Sequence, residues 1–434
     1  MIFNNEYVDV VIIGAGIAGL SAAKTLKKHG IQFRLLEASH RIGGRAYSEQ
    51  LSSNNWFDLG CSYLHNGSIN PFVSIAKEMN FPIDIKNGNL FDSQKTHYFS
   101  NGKKIDLGSP DPLDKAHHHV LRKIKKSKTD KALVESMDFE DPYFPISCHL
   151  STNLNAADPD VVSSKDYEAS LYEGPDYPLP RSFGSLIKKW GGNIRVSLHT
   201  KVNQLNWEGS LIKLKTSKGS LSTKKVILTV STGVLSNGEI ETTPDFPKET
   251  LTAIRNLPMG TLNKIGFCFK KKLFSQRDQG WYVTWGNTNH IQEQNIGSFQ
   301  VSATSPQNIV VFAGGRFGEW LENKGSETML DYAISKIEDV FGKAVTQNIQ
   351  NSITTAWASE PLTKGSYSYA TPGKSYSRSI LSRIINKKIH IAGEATEINH
   401  YGTAHGAYFS GVRVANEVID DLSNIGNMPQ IESK

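Results

Sequence analysis

The sequence predicts an α/β protein built on a doubly wound, Rossmann-like dinucleotide-binding domain, and three observations carry that expectation. Val8-Asp9-Val10-Val11-Ile12-Ile13 is a nearly unbroken β-branched run, as a parallel strand buried on both faces should be. Gly14, Gly16 and Gly19 follow at once: the first allows a tight turn, the second lets backbone approach a pyrophosphate, and the third lets a helix pack closely on the strand. A second strand, Phe33–Leu36, then delivers Glu37 about twenty residues beyond the loop, where a carboxylate can accept hydrogen bonds from a ribose. Between them Ile17, Leu20, Ala23 and Leu26 recur at helical spacing, and Gly30 can end the helix. An isolated G-x-G-x-x-G is a weak signal; the complete unit points to an adenine dinucleotide.

Composition sets the limits. At 434 residues and 38% hydrophobic content the chain can bury a large core, and two intertwined domains are expected. Cys61, Cys148 and Cys268 lie far apart, with neither a disulfide framework nor zinc-ligand spacing. The chain enters its first strand within about eight residues, which leaves no room for a signal peptide, and no run approaches the 18 or so apolar residues of a membrane helix. A cytoplasmic setting without a membrane partner is the expectation. The net charge of +6 is concentrated in Arg122–Lys128 and Lys270–Lys272, without the interleaved aromatic residues that stack on bases. These runs read as solvated faces rather than a nucleic-acid surface, with an acidic partner as the alternative.

Arg41-Ile42-Gly43-Gly44-Arg45 places two glycines between guanidinium forks suited to phosphate oxygens. Together with Glu37-Ala38, it resembles the flavin-binding continuation of the flavin-dependent amine oxidase family, which includes polyamine oxidases, monoamine oxidases and lysine-specific histone demethylases. The resemblance implies FAD rather than NAD, held here by Gly14, Gly16, Ala18, Gly19, Glu37, Ala38, Arg41, Gly44 and Arg45, with Val202 further along the chain. Asp58 to Gly67 resembles the segment that passes the flavin ring into the substrate chamber. It implies cofactor contacts at Gly60, Cys61, Ser62 and Tyr63. His65 stands where spermine and acetylpolyamine oxidases have a histidine facing the substrate, so it would accept a hydrogen bond from an amine or help set its protonation.

The stretch from 70 to 190 is less informative. Pro71 to Met79 reads as a short helix and Asp114 to Met137 as a longer basic one. His117, His118 and His119 are adjacent, do not share a helix face and suggest no metal site. Ser151 to Leu179 is polar and rich in turn formers, so a long surface segment is expected. Its carboxylates, Asp166, Glu168, Glu173 and Asp176, read as solvated charges, although polyamine oxidases use carboxylates to hold the distal amines of their substrate.

From Ile194 to Val230 alternation returns, with Ile212 and Leu214 facing one way, turns at Glu208-Gly209 and Lys218-Gly219, and a buried strand at Lys225–Val230. The amine oxidases end a strand here in a valine–proline turn beside FAD; this chain has Val230-Ser231-Thr232-Gly233 and no proline. Leu257 to Phe267 is an apolar strand interrupted by Lys264. In the family the lysine of this motif contacts the flavin N5 through a water, so the resemblance implies that Lys264 orients that water and assists flavin chemistry, including reoxidation by oxygen.

Leu330, Ile334, Ile337 and Phe341 mark an amphipathic core helix. Trp357 to Tyr369 resembles the flavin-facing segment: Trp357 would pack near the flavin, and Tyr367 would form one wall of the substrate cage, attracting an amine cation and packing on its alkyl chain. Ser366 stands where monoamine oxidases attach flavin through a cysteine, which implies noncovalent FAD. Lys388–Ala392 reads as a strand and Ala404–Leu422 as a helix. Gly393, Glu394, Gly402, Thr403 and Ala404 resemble the second FAD signature, with a helix N-terminus facing the flavin. Thr403 replaces the second cage tyrosine of monoamine and plant polyamine oxidases, as in demethylases and spermine oxidases.

The implied domains are an FAD-binding domain from 1–69, 191–245 and 385–425, an α+β substrate domain from 70–190 and 246–384, and a tail, 426–434. Lys264, His65, Tyr367 and Thr403 form the implied catalytic set. The expected reaction is oxidation of an amine C–N bond, with a polyamine such as spermine, spermidine or an acetylated form, and oxygen, as partners, giving an aldehyde, an amine and hydrogen peroxide. Alternatives are oxidation of monoamines or lysine side chains, and a flavoprotein kept for binding alone. Histone demethylation is disfavoured because no chromatin-binding domain or long coiled-coil insertion is read. An L-amino acid oxidase should have an arginine near Gly60–His65, and none occurs there.

Overall fold

The β-branched run folds as the strand Phe3–Ile13, and its two neighbours account for its composition. It pairs in parallel with Gly219–Leu228 on one side and Phe33–Leu36 on the other, leaving Val10, Val11 and Ile12 with no exposed surface. Burial of each such side chain contributes roughly 1.5–3 kcal/mol. The computed structural model describes residues 3–53, 55–86, 95–170, 174–286, 295–302 and 307–426. Among these, no helix is long and apolar enough to cross a membrane. The architecture is mixed α/β, and the chain divides into two units: Met1–Ala46, Ile187–Leu257 and Tyr376–Lys434 form the first, Tyr47–Leu186 and Pro258–Ser375 the second.

In the first unit the sheet runs in the order Glu241–Thr243, Val202–Asn206, Ile212–Thr216, Gly219–Leu228, Phe3–Ile13, Phe33–Leu36, Val196–Ser197. Ile389–Ile391 also pairs in parallel with Gly219–Leu228, while the strands on either side of Ile212–Thr216 run antiparallel to it. Ile212 and Leu214 face inward without exposure. The helix Ile17–Lys28 follows the glycine loop and ends at His29, with Gly30 left-handed at φ +71°. It packs on the C-terminal helix Ala404–Gly426, where a Cβ on Gly411 would lie 2.1 Å from the Ala18 carbonyl. The turn that lacks the family's proline is a helix start: the Ser231 hydroxyl accepts the Val234 N–H and caps Thr232–Ser236.

The second unit holds a seven-stranded sheet in the order Ile349–Thr354, Leu262–Phe269, Asn308–Gly314, Ile296–Ser302, Gly280–Trp285, Thr96–Ser100, Lys103–Ile105. Leu262–Phe269 is thus an interior strand, antiparallel to both neighbours. One of its faces, with Ile265 and Phe267, packs into a core with the helices Gly315–Lys324 and Ser326–Phe341. The other, with Lys264, Gly266 and Cys268, meets the ribbon Ser48–Ser52/Asn55–Asp58, whose Phe57 sits where a Cβ on Gly266 would be. Both faces are covered, which is why the strand reads as apolar apart from its polar pair Asn263-Lys264.

Several expected boundaries differ from what is observed. Residues 47–69 lie in the second unit because the ribbon packs on the lysine strand, and 187–190, 246–257 and 376–384 lie in the first. There the helix Lys248–Asn256 is tied to Ser377–Leu381 by the Asn256 amide and Ser377 hydroxyl, 3.1 Å apart. Of the expected tail, 427–434 lie outside the described residues. The long basic helix is shorter than its periodicity suggests, spanning Pro112–Lys126. Ser127 turns extended, and its hydroxyl donates to the Thr129 carbonyl and accepts the Thr129 N–H, so that only a 3-10 turn, Leu133–Ser136, follows.

The expected surface segment 151–179 contains the end of the helix Phe144–Asn155 and the helix Ser164–Ala169, and much of it is buried. Asp166 and Asp176 are 1% and 8% exposed, so they are not solvated charges. Asp166 accepts the Ala370 N–H at 2.9 Å, while the partly buried Glu168 pairs with Lys165 at 2.9 Å. Glu173 lies outside the described residues. Turn-rich composition was a poor guide because the polar side chains cap helices and bind backbone instead of meeting water.

A Cβ added to Gly19 would lie 1.9 Å from the Gly14 carbonyl oxygen, a backbone atom with little freedom to retreat. Gly19→Ala is expected to lower folding stability by roughly 1–3 kcal/mol. Equilibrium denaturation checks this, and an unchanged midpoint would refute the tight loop-to-helix approach.

Candidate functional site

The glycines of the first unit shape an open cradle. Gly14, at φ +100°, donates its N–H to the Leu36 carbonyl at 2.8 Å, which locks the loop to the end of the second strand. The helix at Ile17 opens with no side chain capping its first N–H groups and no acid in its first turn. Such donors, backed by the helix dipole, suit an anion. A Cβ on Gly16 would meet nothing within 4 Å, so the loop faces open space where a phosphate needs it. Gly43 donates to the Ala15 carbonyl at 2.8 Å, and Gly44, at φ +56°, lies close enough that its Cβ would sit 3.3 Å from the Gly16 Cα.

Glu37 does more than the spacing rule asks. One of its oxygens accepts the Ala15 N–H at 2.7 Å and the other the Ser39 N–H at 2.9 Å, leaving further lone pairs on both for a ribose. Ala38 is half-buried beside it. Arg41 donates to the Gly44 carbonyl at 2.7 Å. Arg45 pairs at 2.8 Å with the buried Glu394, whose other oxygen accepts the Gly402 N–H. That pair joins the two ends of the sequence in one site. Gly393, at φ +137°, again has open space where a Cβ would be. A cleft in this unit is lined by Arg45, Ser231, Thr232, Gly393 and Glu394, and the buried Thr232 hydroxyl has no partner among the described residues. Uncapped N–H donors, open glycines and an orphaned hydroxyl fit a phosphate-bearing dinucleotide such as FAD.

Two further implied residues lie in the same unit. Val202 is buried in a strand of the same sheet. The Thr403 hydroxyl accepts the Gly406 N–H at 2.9 Å and donates to the His400 carbonyl at 2.6 Å, so it is engaged in capping the helix that begins at Ala404.

The second unit is organised around Lys264, which is 7% exposed. Its ammonium donates to the Asp58 carbonyl at 3.1 Å, the Gly60 carbonyl at 2.5 Å and the Ser62 hydroxyl at 2.5 Å. Three donors thus meet three acceptors on one short segment, a geometry that makes burial of the charge tolerable. Burial pushes its pKa down to about 8, against the pull of Asp58 and Cys61. Burial also pushes the Asp58 carboxyl up, offset by the Ser48 hydroxyl, the Phe183 N–H, Lys264 and the Gly184 N–H. Asp58 therefore joins two features: its carbonyl holds Lys264, and its carboxylate receives the first N–H groups of the helix Phe183–Gly191.

The remaining implied residues of this unit each have partners of their own. The Trp357 indole donates to the Leu59 carbonyl at 3.1 Å, and its backbone N–H reaches the Asn263 side chain at 3.2 Å. Asn263, fully buried on the face opposite Lys264, also donates to Glu322, which accepts the N–H groups of Ala358 and Ser359. Sequence reasoning passed over Asn263, yet a second polar residue beside the lysine in an apolar strand was its signal. Tyr367, half-buried, donates to the carbonyls of Asn153 and Leu154 near 3 Å. Ser366 accepts the Leu262 N–H and donates to the Gly260 carbonyl. Tyr63 donates to Gln300 and is kept neutral by burial and by the charges of Asp58 and Asp176. His65 pairs through Nδ1 with Asp176 at 3.0 Å.

The chain matches the family model for flavin containing amine oxidoreductase over residues 17–172 and 178–419. It is 25% identical to lysine-specific histone demethylase 1 homolog 2 of Arabidopsis thaliana, over 95% of this chain and 58% of that protein. It is 24% identical to polyamine oxidase 4 of Oryza sativa subsp. japonica, over 94% of this chain and 88% of that one, and 24% identical to polyamine oxidase 2 of Arabidopsis thaliana, over 94% and 87%. The chain thus spans less than two thirds of the demethylase homologue. With the lysine strand, the Trp357–Tyr367 segment and the Gly393–Ala404 cradle all inside the matched residues, the chain belongs to the family of flavin-containing amine oxidoreductases.

Proposed function

We propose that this protein oxidises a C–N bond of a polyamine, spermine, spermidine or an acetylated form, with noncovalent FAD as cofactor and oxygen as acceptor. The observation that carries the proposal is the buried Lys264, held against the same segment that leads to His65. In this reading the first unit is the doubly wound FAD-binding domain and the second the substrate domain. Bound FAD would supply the redox chemistry, taking a hydride equivalent from the carbon beside the amine nitrogen and passing electrons to oxygen.

The chain's own residues have narrower tasks. The Gly14–Gly19 loop and the helix behind it bind pyrophosphate, and Glu37 takes the ribose. Gly60 to Tyr63 and Trp357 line the flavin, and Ser366, already committed to backbone, provides no thiol for attachment. His65 accepts a hydrogen bond from the substrate nitrogen and so orients it, and the Tyr367 ring packs on the alkyl chain. Lys264 keeps a positive charge in a site from which water is excluded, where its field is strong. Thr403, in place of a second aromatic wall, leaves width for a substrate with several amines.

Polyamine oxidases among the relatives support this substrate class. A lysine side chain is the second reading, favoured by the comparable identity to the demethylase homologue.

Anaerobic addition of spermine or spermidine to the purified flavoprotein is expected to bleach the flavin spectrum, whereas benzylamine should not. Bleaching by a methylated-lysine peptide alone would favour the second reading, and no bleaching by any amine would leave a binding protein. Gly16→Ala is expected to fold, because its Cβ meets no protein atom, but to purify with little flavin. Retention of full flavin would remove the loop from the cofactor site.

The Lys264 charge is present below its pKa of about 8 and lost above it. Reoxidation of the reduced enzyme by oxygen should therefore slow as pH rises through that value. Lys264→Met is expected to flatten the profile and slow the step about tenfold, or about 1.4 kcal/mol. A wild-type profile without an inflection, or unchanged rates in the variant, would exclude the lysine from this step.

A further inference from the structure

His65 is held more tightly than a loop histidine needs to be. It follows the short strand Tyr63–Leu64, which pairs antiparallel with Tyr177–Pro178, so that Asp176 emerges directly opposite. The approach is close: Gly67 donates to the Pro175 carbonyl at 2.7 Å, and a Cβ on Gly67 would lie 2.3 Å from the Tyr177 ring. Asn70 fixes the histidine's backbone, donating to the His65 carbonyl at 2.8 Å while its side-chain oxygen caps the helix Pro71–Glu78. Asp176 fixes the ring: its Oδ1 lies 3.0 Å from His65 Nδ1 and accepts the Asn66 N–H at 3.2 Å.

A carboxylate only accepts hydrogen bonds, so the ring nitrogen facing it must carry the proton. In neutral imidazole this puts the acceptor lone pair on Nε2. Free imidazole side chains have no such fixed choice, and a buried carboxylate partner is a general way to impose one. Asp176 is suited to this by its burial and by the Asn66 N–H, which holds the shared oxygen in place.

We infer that Asp176 is a positioning residue that locks His65 as the Nδ1–H tautomer and thereby presents Nε2 as an acceptor toward a substrate amine. This rests on the proposed role of His65 for its functional meaning. The task falls to Oδ1, which two donors of the protein engage.

The test uses the full chain loaded with FAD. Nitrogen-15 spectra of the imidazole rings, with His65 assigned from His65→Gln, should show Nδ1–H in the wild type and in Asp176→Asn, whose amide oxygen can still accept. Asp176→Ala should shift His65 toward Nε2–H. In rapid anaerobic mixing with spermine, Asp176→Ala should lower the limiting rate of flavin reduction about tenfold or more, with less than a twofold change in the spermine dissociation constant, and Asp176→Asn should recover most of the rate. Two results would overturn the inference: an Nε2–H tautomer in the wild type, or a weaker spermine affinity at unchanged limiting rate in Asp176→Ala. If Asp176→Ala does not fold, the wild-type tautomer and the Asp176→Asn kinetics still decide. Failure of the underlying reading looks different, since His65→Gln would then reduce as fast as the wild type whatever the tautomer.

Discussion

An ammonium group shut away from water dictates much of the second unit's local structure. Removing such a charge from solvent carries an effective penalty of several kcal/mol, and only good hydrogen-bond geometry offsets it. Lys264 finds all its acceptors on Asp58, Gly60 and Ser62, so this segment cannot shift without leaving the charge unsatisfied. The constraint then spreads. Asp58 also anchors a helix start through its carboxylate, and Phe57 fills the space left by Gly266 two residues along from the lysine. On the opposite face Asn263 and Glu322 tie the Trp357 segment to the same strand. One strand therefore registers two otherwise independent loops by means of two consecutive polar side chains.

The first unit answers a different problem, that of leaving backbone donors uncovered at a helix start. Its loop glycines divide the work: Gly19 is small because backbone lies against it, and Gly16 is small because nothing does. The Arg45–Glu394 pair is neither fully exposed nor isolated, and Glu394 is held by the Gly402 N–H as well. A partly buried ion pair with a further hydrogen bond keeps its geometry better than a surface pair, which would contribute little.

What could be read from the residues, and what could not, follows from range. The Phe3–Ile13 strand, the glycine turn and the helix after it are encoded in contiguous spacing, and each lies where that spacing puts it. Lys264 stood out because a charge in an apolar strand is conspicuous. By contrast, the partner of His65 lies over a hundred positions away, and nothing near Asp176 distinguishes it from Glu168. Asp166 shows the same limit: within a turn-rich stretch it reads as solvated, yet it is buried against the Ala370 backbone. Thr403 was legible as a missing aromatic, but its engagement as a helix cap depends on hydroxyl geometry that residue identity does not carry.

The order of strands in the first sheet bears on how the chain can fold during synthesis. Of the strands in this sheet Phe3–Ile13 is made before the others, meets Phe33–Leu36 early, and gains Gly219–Leu228 only after much of the second unit has been made. Ile389–Ile391 and the helix that packs on Ile17–Lys28 arrive last. Non-local parallel pairing is slow to nucleate because long loops must close before any contact rewards them. Until then Gly219–Leu228 lacks one of its partners, and an unpaired edge is an invitation to association with other chains. The Arg45–Glu394 pair therefore forms only after the chain of the second unit has been made.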